Sequence, residues 1–229
     1  MGKKARRRLR PLAVELARVR PDLADPIAAI VAGDVRVDGR IVMKPASLVP
    51  VGASIVLRPA KPLRGEAKLG AALAAFHVDV HGVAVDVGAA AGGFTRVLLA
   101  AGARRVYAVD AGHGQLVGSL RADPRVVNLE GVNLGVVAIE EPIDFVTLDL
   151  SYLAVADAVP QLERLDFDDG AQLIALVKPM FELRAPTPPP RPERAVGLAC
   201  RGMAQTWTPR ACMRSPAEAA EFLVWATRC

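Results

Sequence analysis

Residues 83–95, VAVDVGAAAGGFT, constrain this chain more than any other stretch. Val83 to Val87 is apolar at every position but one, the pattern of a strand covered by helices on both faces of a parallel sheet. Gly88, Gly92 and Gly93 follow where the chain turns from strand to helix. A residue without Cβ lets backbone approach a ligand closely there. A second short strand, Arg105 to Asp110, ends in a carboxylate about twenty residues on, a spacing at which an acid accepts hydrogen bonds from ribose hydroxyls.

Two common nucleotide loops are excluded. G-x-G-x-x-G needs a glycine two residues after Gly88, where Ala90 stands, and no Lys-Ser/Thr pair completes a P-loop. Asp86 places negative charge near the helix end that would hold a pyrophosphate, which suits a cationic cofactor better. The D-x-G-x-x-x-G-G-F run from Asp86 to Phe94 resembles the S-adenosylmethionine loop of class I methyltransferases, most closely the FtsJ-like RNA methyltransferases. That resemblance implies S-adenosylmethionine as cofactor, with Asp86, Gly88, Gly92, Gly93, Phe94, Asp110 and Asp149 around it.

The chain's net charge of +5 is unevenly spread. Residues 1–68 carry an excess of nine positive charges, and the remainder is negative by four. A basic front on a mildly acidic body suits a polyanionic partner, although Lys3 to Arg10 alone reads equally as a solubilising tail. No apolar run reaches membrane-spanning length, and the basic N-terminus lacks a signal-peptide core, so a cytoplasmic chain is expected. Three cysteines, without C-x-x-C spacing, indicate neither a disulfide framework nor a zinc site, and no metal is expected.

Along the chain, residues 1–10 read as a flexible basic arm and 11–20 as a short helix. Asp25-Pro26 reads as a helix start that Gly33 ends. Residues 35–42 read as a hairpin about Asp38-Gly39. Residues 49–57 are expected to pair as two strands about Pro50–Gly52. Two small helices followed by V-x-V-x-G-x-x-V and Lys44-Pro45 resemble the S4 RNA-binding module, with Asp25-Pro26 where that family has Ser-Arg. The resemblance implies RNA contacts from Arg6, Arg7, Arg8, Arg10, Arg36, Arg40 and Lys44. The domains expected are 1–58, S4-like; 59–65, a linker; and 66–229, the methyltransferase domain.

From residue 66 onward helices and strands alternate: helix 66–76, strand 83–87, helix 93–101, strand 105–109, helix 114–121, strand 126–129, strand 145–148, helix 153–161, strand 172–177. This predicts an α/β fold, a doubly wound, mainly parallel sheet with ligands beyond the carboxyl ends of the strands. Residues 183–194 read as an exposed proline-rich loop, and 216–225 as a helix carrying Glu221.

Lys68, Asp149, Lys178 and Glu221 resemble the Lys-Asp-Lys-Glu tetrad of FtsJ-like 2′-O-methyltransferases, here of the TlyA-type, haemolysin-like branch with an S4 front. The resemblance implies RNA ribose methylation, with ribosomal RNA and a cytidine ribose as the family's usual target, and Lys178 as the base. The sequence departs from the family at Leu63–Glu66 and Ala217–Ala220, and Glu66 is expected beside the Lys68 ammonium. Two other readings stay open: an RNA- or ribosome-binding protein without catalysis, and a haemolysin-like membrane-active protein.

Overall fold

The computed structural model describes residues 8–23, 25–57, 62–218 and 220–229. They fall into two compact units, one built from the first 62 residues together with Gly118–Asp123, the other from Leu63–Val117 and Pro124–Cys229.

The smaller unit contains β1 (Leu9–Pro11), α1 (Leu12–Val19), α2 (Pro26–Val31), β2 (Val35–Val37), β3 (Arg40–Ile41), β4 (Leu48–Pro50) and β5 (Ile55–Leu57). Leu12 and Leu16, one turn apart on α1, are buried in one cluster with Ile30, Val35 and Val49. The Asp25 carboxylate accepts the Ala28 N–H at 2.9 Å and so caps α2, with Pro26 as its first residue. Asp38 and Gly39 both take positive φ, 47° and 83°, the geometry of a two-residue hairpin turn.

Two expectations here are corrected. Leu9 and Arg10 are not part of a free arm: β1 pairs antiparallel with β4. Nor do the strands in 49–57 pair with each other, since β5 pairs with β2. Arg6 and Arg7 lie outside the described residues.

In chain order, the remaining elements are α3 (Glu66–Phe76), β6 (Val83–Val87), α4 (Gly93–Ala101), β7 (Arg105–Asp110), α5 (Gly118–Arg121, which clusters with the smaller unit), β8 (Val126–Glu130), β9 (Ile143–Leu148), α6 (Val155–Leu162), β10 (Phe167–Val177), α7 (Pro179–Glu182), α8 (Glu193–Met203), β11 (Trp207–Arg214) and β12 (Phe222–Arg228). Seven strands form one sheet in the order β11-β12-β10-β9-β6-β7-β8. β6 to β10 run parallel, and β12 lies antiparallel between β10 and β11. β6 is buried at all five positions, as its apolar run predicts for a central strand. The chain reverses its winding direction at β6, whose neighbours are β7 and β9. Crevices for ligands open at such a switch.

Three local readings change in this unit. Helix 114–121 shrinks to α5, because the Gln115 and Leu116 N–H groups are bound by the Glu130 carboxylate at 2.6 and 2.8 Å instead of by a helical turn. The proline-rich loop ends in a helix, α8, begun by Pro192 and Glu193. Glu221 is not on a helix; it precedes β12, which pairs on both sides.

Candidate active site

Lys68 sits in the first turn of α3. What places that turn is a close approach of backbone: a Cβ on Gly93 would lie 1.8 Å from the Arg64 carbonyl oxygen, and one on Gly65 would lie 2.8 Å from the Phe94 ring. Gly93 and Phe94 therefore hold the start of α3 against the start of α4. Gly92, at φ 109°, makes the preceding turn.

Asp149 follows directly on β9, and its N–H donates to the Val87 carbonyl at 2.9 Å. A Cβ on Gly88 would stand 2.3 Å from the Asp149 carbonyl oxygen, so this glycine is required for the ends of β6 and β9 to meet. Lys178 follows β10, with Pro179 opening α7 behind it. Glu221 ends a turn in which the Ser215 N–H donates to the Glu221 carbonyl at 2.8 Å and the Glu221 N–H to the Glu218 carbonyl at 2.9 Å.

These four side chains, from four separate segments, line one cavity of about 580 Å³. Lys178 Nζ lies 2.6 Å from Asp149 Oδ1 and donates to Ser151 Oγ at 2.9 Å. Lys68 Nζ donates to Glu221 Oε2 at 2.5 Å. A residue outside the tetrad joins them: Glu218 Oε1 is 3.6 Å from Lys68 Nζ. Burial alone disfavours the Lys68 ammonium, but the Glu221 bond and the charges of Glu221, Asp149 and Glu218 outweigh it and hold its pKa above the ordinary value. Burial likewise pushes the Glu221 carboxyl up, against the pull of Lys68. At 2.5 Å the mutual attraction dominates, and the resting form is the charged pair.

The other end of the cavity is lined by Gly88, Ala90, Asp110, Ala111, Gly112, Val132 and Leu134. Asp110 holds this end in shape by accepting the Ala90 N–H at 3.0 Å and the Gly112 N–H at 2.7 Å, one on each oxygen. Each carboxylate oxygen has a second acceptor direction left for a ligand hydroxyl.

Of the seven residues expected around the cofactor, Gly88, Asp110 and Asp149 line the cavity; Asp86, Gly92, Gly93 and Phe94 do not. Asp86 is wholly buried beneath the loop, where the hydroxyls of Thr95 and Thr147 donate to its two oxygens at 2.6 and 2.9 Å. Burial raises its pKa to about 6 in spite of those bonds. Its part is to tie β6 to α4 and β9. Glu66 also departs from expectation. It turns away from Lys68, accepting the Leu63 N–H at 2.8 Å and pairing with Arg96 at 2.7 Å. The second acid beside Lys68 is instead Glu218, visible in the sequence only as a charge inside the altered Ala217–Ala220 segment. Of the remaining basic residues, Arg8, Arg36, Arg40 and Lys44 are exposed, while Arg10 is half-buried and faces Glu15 at 3.6 Å.

A mainly parallel seven-stranded sheet of this order, with its cavity at the β6 switch, is the class I methyltransferase fold. It is shared with the N-methyltransferase NodS of Bradyrhizobium japonicum, solved with S-adenosylhomocysteine, at 13% identity and a TM-score of 0.51 over 70% of this chain and 82% of that one. A family model described as FtsJ-like methyltransferase matches residues 63–187, and the chain belongs to that family. The 16S/23S rRNA (cytidine-2′-O)-methyltransferase TlyA of Mycobacterium tuberculosis is 43% identical over 176 residues, 73% of this chain and 64% of that protein. The present chain thus spans just under two thirds of that relative's length. A solved protein of Streptococcus thermophilus that carries a hemolysin name superimposes with a TM-score of 0.65 at 27% identity, over 96% of this chain and 88% of that one.

Proposed function

We propose that this protein is an S-adenosylmethionine-dependent RNA ribose 2′-O-methyltransferase acting on a cytidine of ribosomal RNA, alone or within a ribosomal subunit. The observation that carries this reading is the pair of ion pairs, Lys178–Asp149 and Lys68–Glu221, in one cavity with Gly88 and Asp110.

The cavity fits the cofactor by chemistry. Its lining holds four carboxylates, Asp110, Asp149, Glu218 and Glu221, against the three cations Arg64, Lys68 and Lys178. An excess of negative charge suits a sulfonium that also bears an ammonium. Asp110 would take the ribose hydroxyls, and Val132, Leu134 and Ala111 supply apolar surface. Bound there, the cofactor supplies an electrophilic methyl group that needs no metal.

The chain's own residues handle the acceptor. A ribose hydroxyl is a weak nucleophile and needs a base within hydrogen-bonding reach. Lys178 would be the base that takes the hydroxyl proton, and the bound cofactor would supply the methyl carbon for the new C–O bond, its C–S bond breaking to leave a neutral thioether. Asp149 and Ser151 fix the direction of Nζ. Lys68, held by Glu221 and Glu218, steers the hydroxyl and stays charged. The exposed Tyr152 ring on the cavity wall offers a face for a nucleobase. We assign residues 1–58 to RNA capture as an S4-like module, 59–65 to a linker and 66–229 to catalysis.

Transfer of tritium from labelled cofactor to ribosomal RNA, with ribose methylation mapped by mass spectrometry, tests this reading. Label at a cytidine ribose is expected. Cofactor binding without transfer to any RNA would leave a binding protein on a methyltransferase fold. Among the described residues no helix is long and apolar enough to cross a membrane. Liposome leakage tests the haemolysin reading directly.

A further inference from the structure

Three cations line the cavity, and they are not equivalent. Lys178 is held by Asp149 and Ser151. Lys68 lies between Glu221 and Glu218. Arg64 lines the same wall, is exposed, and makes no ion pair with a carboxylate among the described residues. Its main chain is nevertheless fixed, because its carbonyl sits where any Cβ on Gly93 would stand. The Gly65 that follows is pressed on the Phe94 ring. An anchored backbone carrying an exposed, uncompensated guanidinium is suited to bidentate recognition of an anionic group.

The acceptor supplies such a group. A ribose within an RNA strand has a phosphate on each side, and two of the cations nearest its hydroxyl are already neutralised. Glu218, half-exposed beside Lys68, repels a phosphate from that position. We propose that Arg64 binds the backbone phosphate adjoining the target ribose, and that Glu218 keeps this phosphate off Lys68, so that the pair of opposite charges sets how the strand crosses the mouth of the cavity. The proposal rests on the RNA-methylation reading above. The competing source of an anion is the cofactor's own carboxylate.

The test compares the full-length protein with its Arg64→Ala and Arg64→Lys variants. Arg201→Ala, which removes an exposed charge from α8, serves as the control. Calorimetry reads affinity for S-adenosylhomocysteine. Filter binding at several salt concentrations reads affinity for a protein-free ribosomal RNA transcript. Arg64→Ala should weaken RNA binding about tenfold and flatten the log–log salt slope by about 0.7–1, with cofactor affinity within about twofold of the parent. Arg64→Lys should keep the slope and lose part of the affinity, because an ammonium cannot bond bidentately. RNA affinity and slope unchanged in Arg64→Ala overturn the proposal. So does a loss of cofactor affinity in a variant that melts normally, which would give Arg64 to the cofactor's carboxylate. If Arg64→Ala fails to fold, the same division between RNA and cofactor affinity is read in Arg64→Lys, and equal RNA affinity there sinks the proposal. A parent protein that methylates no RNA refutes the functional reading; a methylating parent matched by its Arg64 variants refutes only Arg64.

Discussion

Asp86 is an acid whose charge the folded protein holds at a cost. Its folded pKa of about 6 stands above the ordinary 3.8, with burial as the main cause. Between those values the folded state binds the proton and the unfolded state does not, so stability falls as pH rises through this window and the whole cost is present above it. A shift of that size corresponds to at most about 3 kcal/mol. Asp86→Asn removes the charge, and the Thr147 hydroxyl can turn to the Val85 carbonyl, 3.5 Å away, while accepting from the new amide. In denaturant titrations the variant should gain on the parent as pH rises from about 4 to about 6, then hold a constant difference; a pH-independent difference contradicts the buried carboxylate. At the acceptor end, Lys178→Ala should lower methyl transfer by at least about a hundredfold with cofactor affinity unchanged. Turnover equal to the parent's would remove Lys178 from that role. That Lys68, Asp149, Lys178 and Glu221 converge on one cavity was legible from the short motifs around each. Glu218 was not, since nothing in Ala217–Ala220 says which acid points at Lys68 and which at solvent.

At the scale of elements, Gly93 shows how packing, not ligand contact, explains part of the glycine-rich loop. Gly93→Ala puts a methyl 1.8 Å from the Arg64 carbonyl, so the start of α3 must move and Lys68 with it. Overpacking of this kind costs about 1–3 kcal/mol. We expect a lower melting temperature and a fall in the turnover rate much larger than any loss of cofactor affinity, because Gly93 does not line the cavity. A variant with parental kcat would show that α3 is not positioned by this contact. The parallel strands were readable because each is a short apolar run between turn residues. The stretch after β10 was not. Residues 216–225 are rich in alanine and glutamate and favour helix locally, but hydrogen bonding to β10 on one side and β11 on the other makes 222–228 a strand. β11 was hidden by Pro209, which a strand tolerates at the edge of a sheet, where β11 lies. α8 holds Gly197 and Gly202, poor helix formers. Gly202 is needed because a Cβ there would meet Ala156 at 2.6 Å.

For the molecule as a whole, the proposed function together with the positive charge concentrated in the first 68 residues predicts that capture of RNA and transfer of the methyl group are separable. Replacing Arg36, Arg40 and Lys44 together by glutamate should weaken ribosomal RNA binding by more than about a hundredfold and reduce the salt slope by roughly 2, leaving cofactor affinity untouched. Intact RNA affinity would contradict the assignment of that unit to RNA capture. The helix pair and the hairpin about Asp38-Gly39 were legible, while the pairing of β1 with β4 was not, because three-residue strands carry no periodic signal. One consequence follows from where β12 lies. Although β12 comes after β11 in the sequence, it does not extend the sheet at its rim but slots between β10 and β11, and the turn before it carries Glu221. The Gly88–Asp110 end of the cavity is built without that insertion, whereas the Lys68–Glu221 pair depends on it, so loosening β12 should spare the one and undo the other.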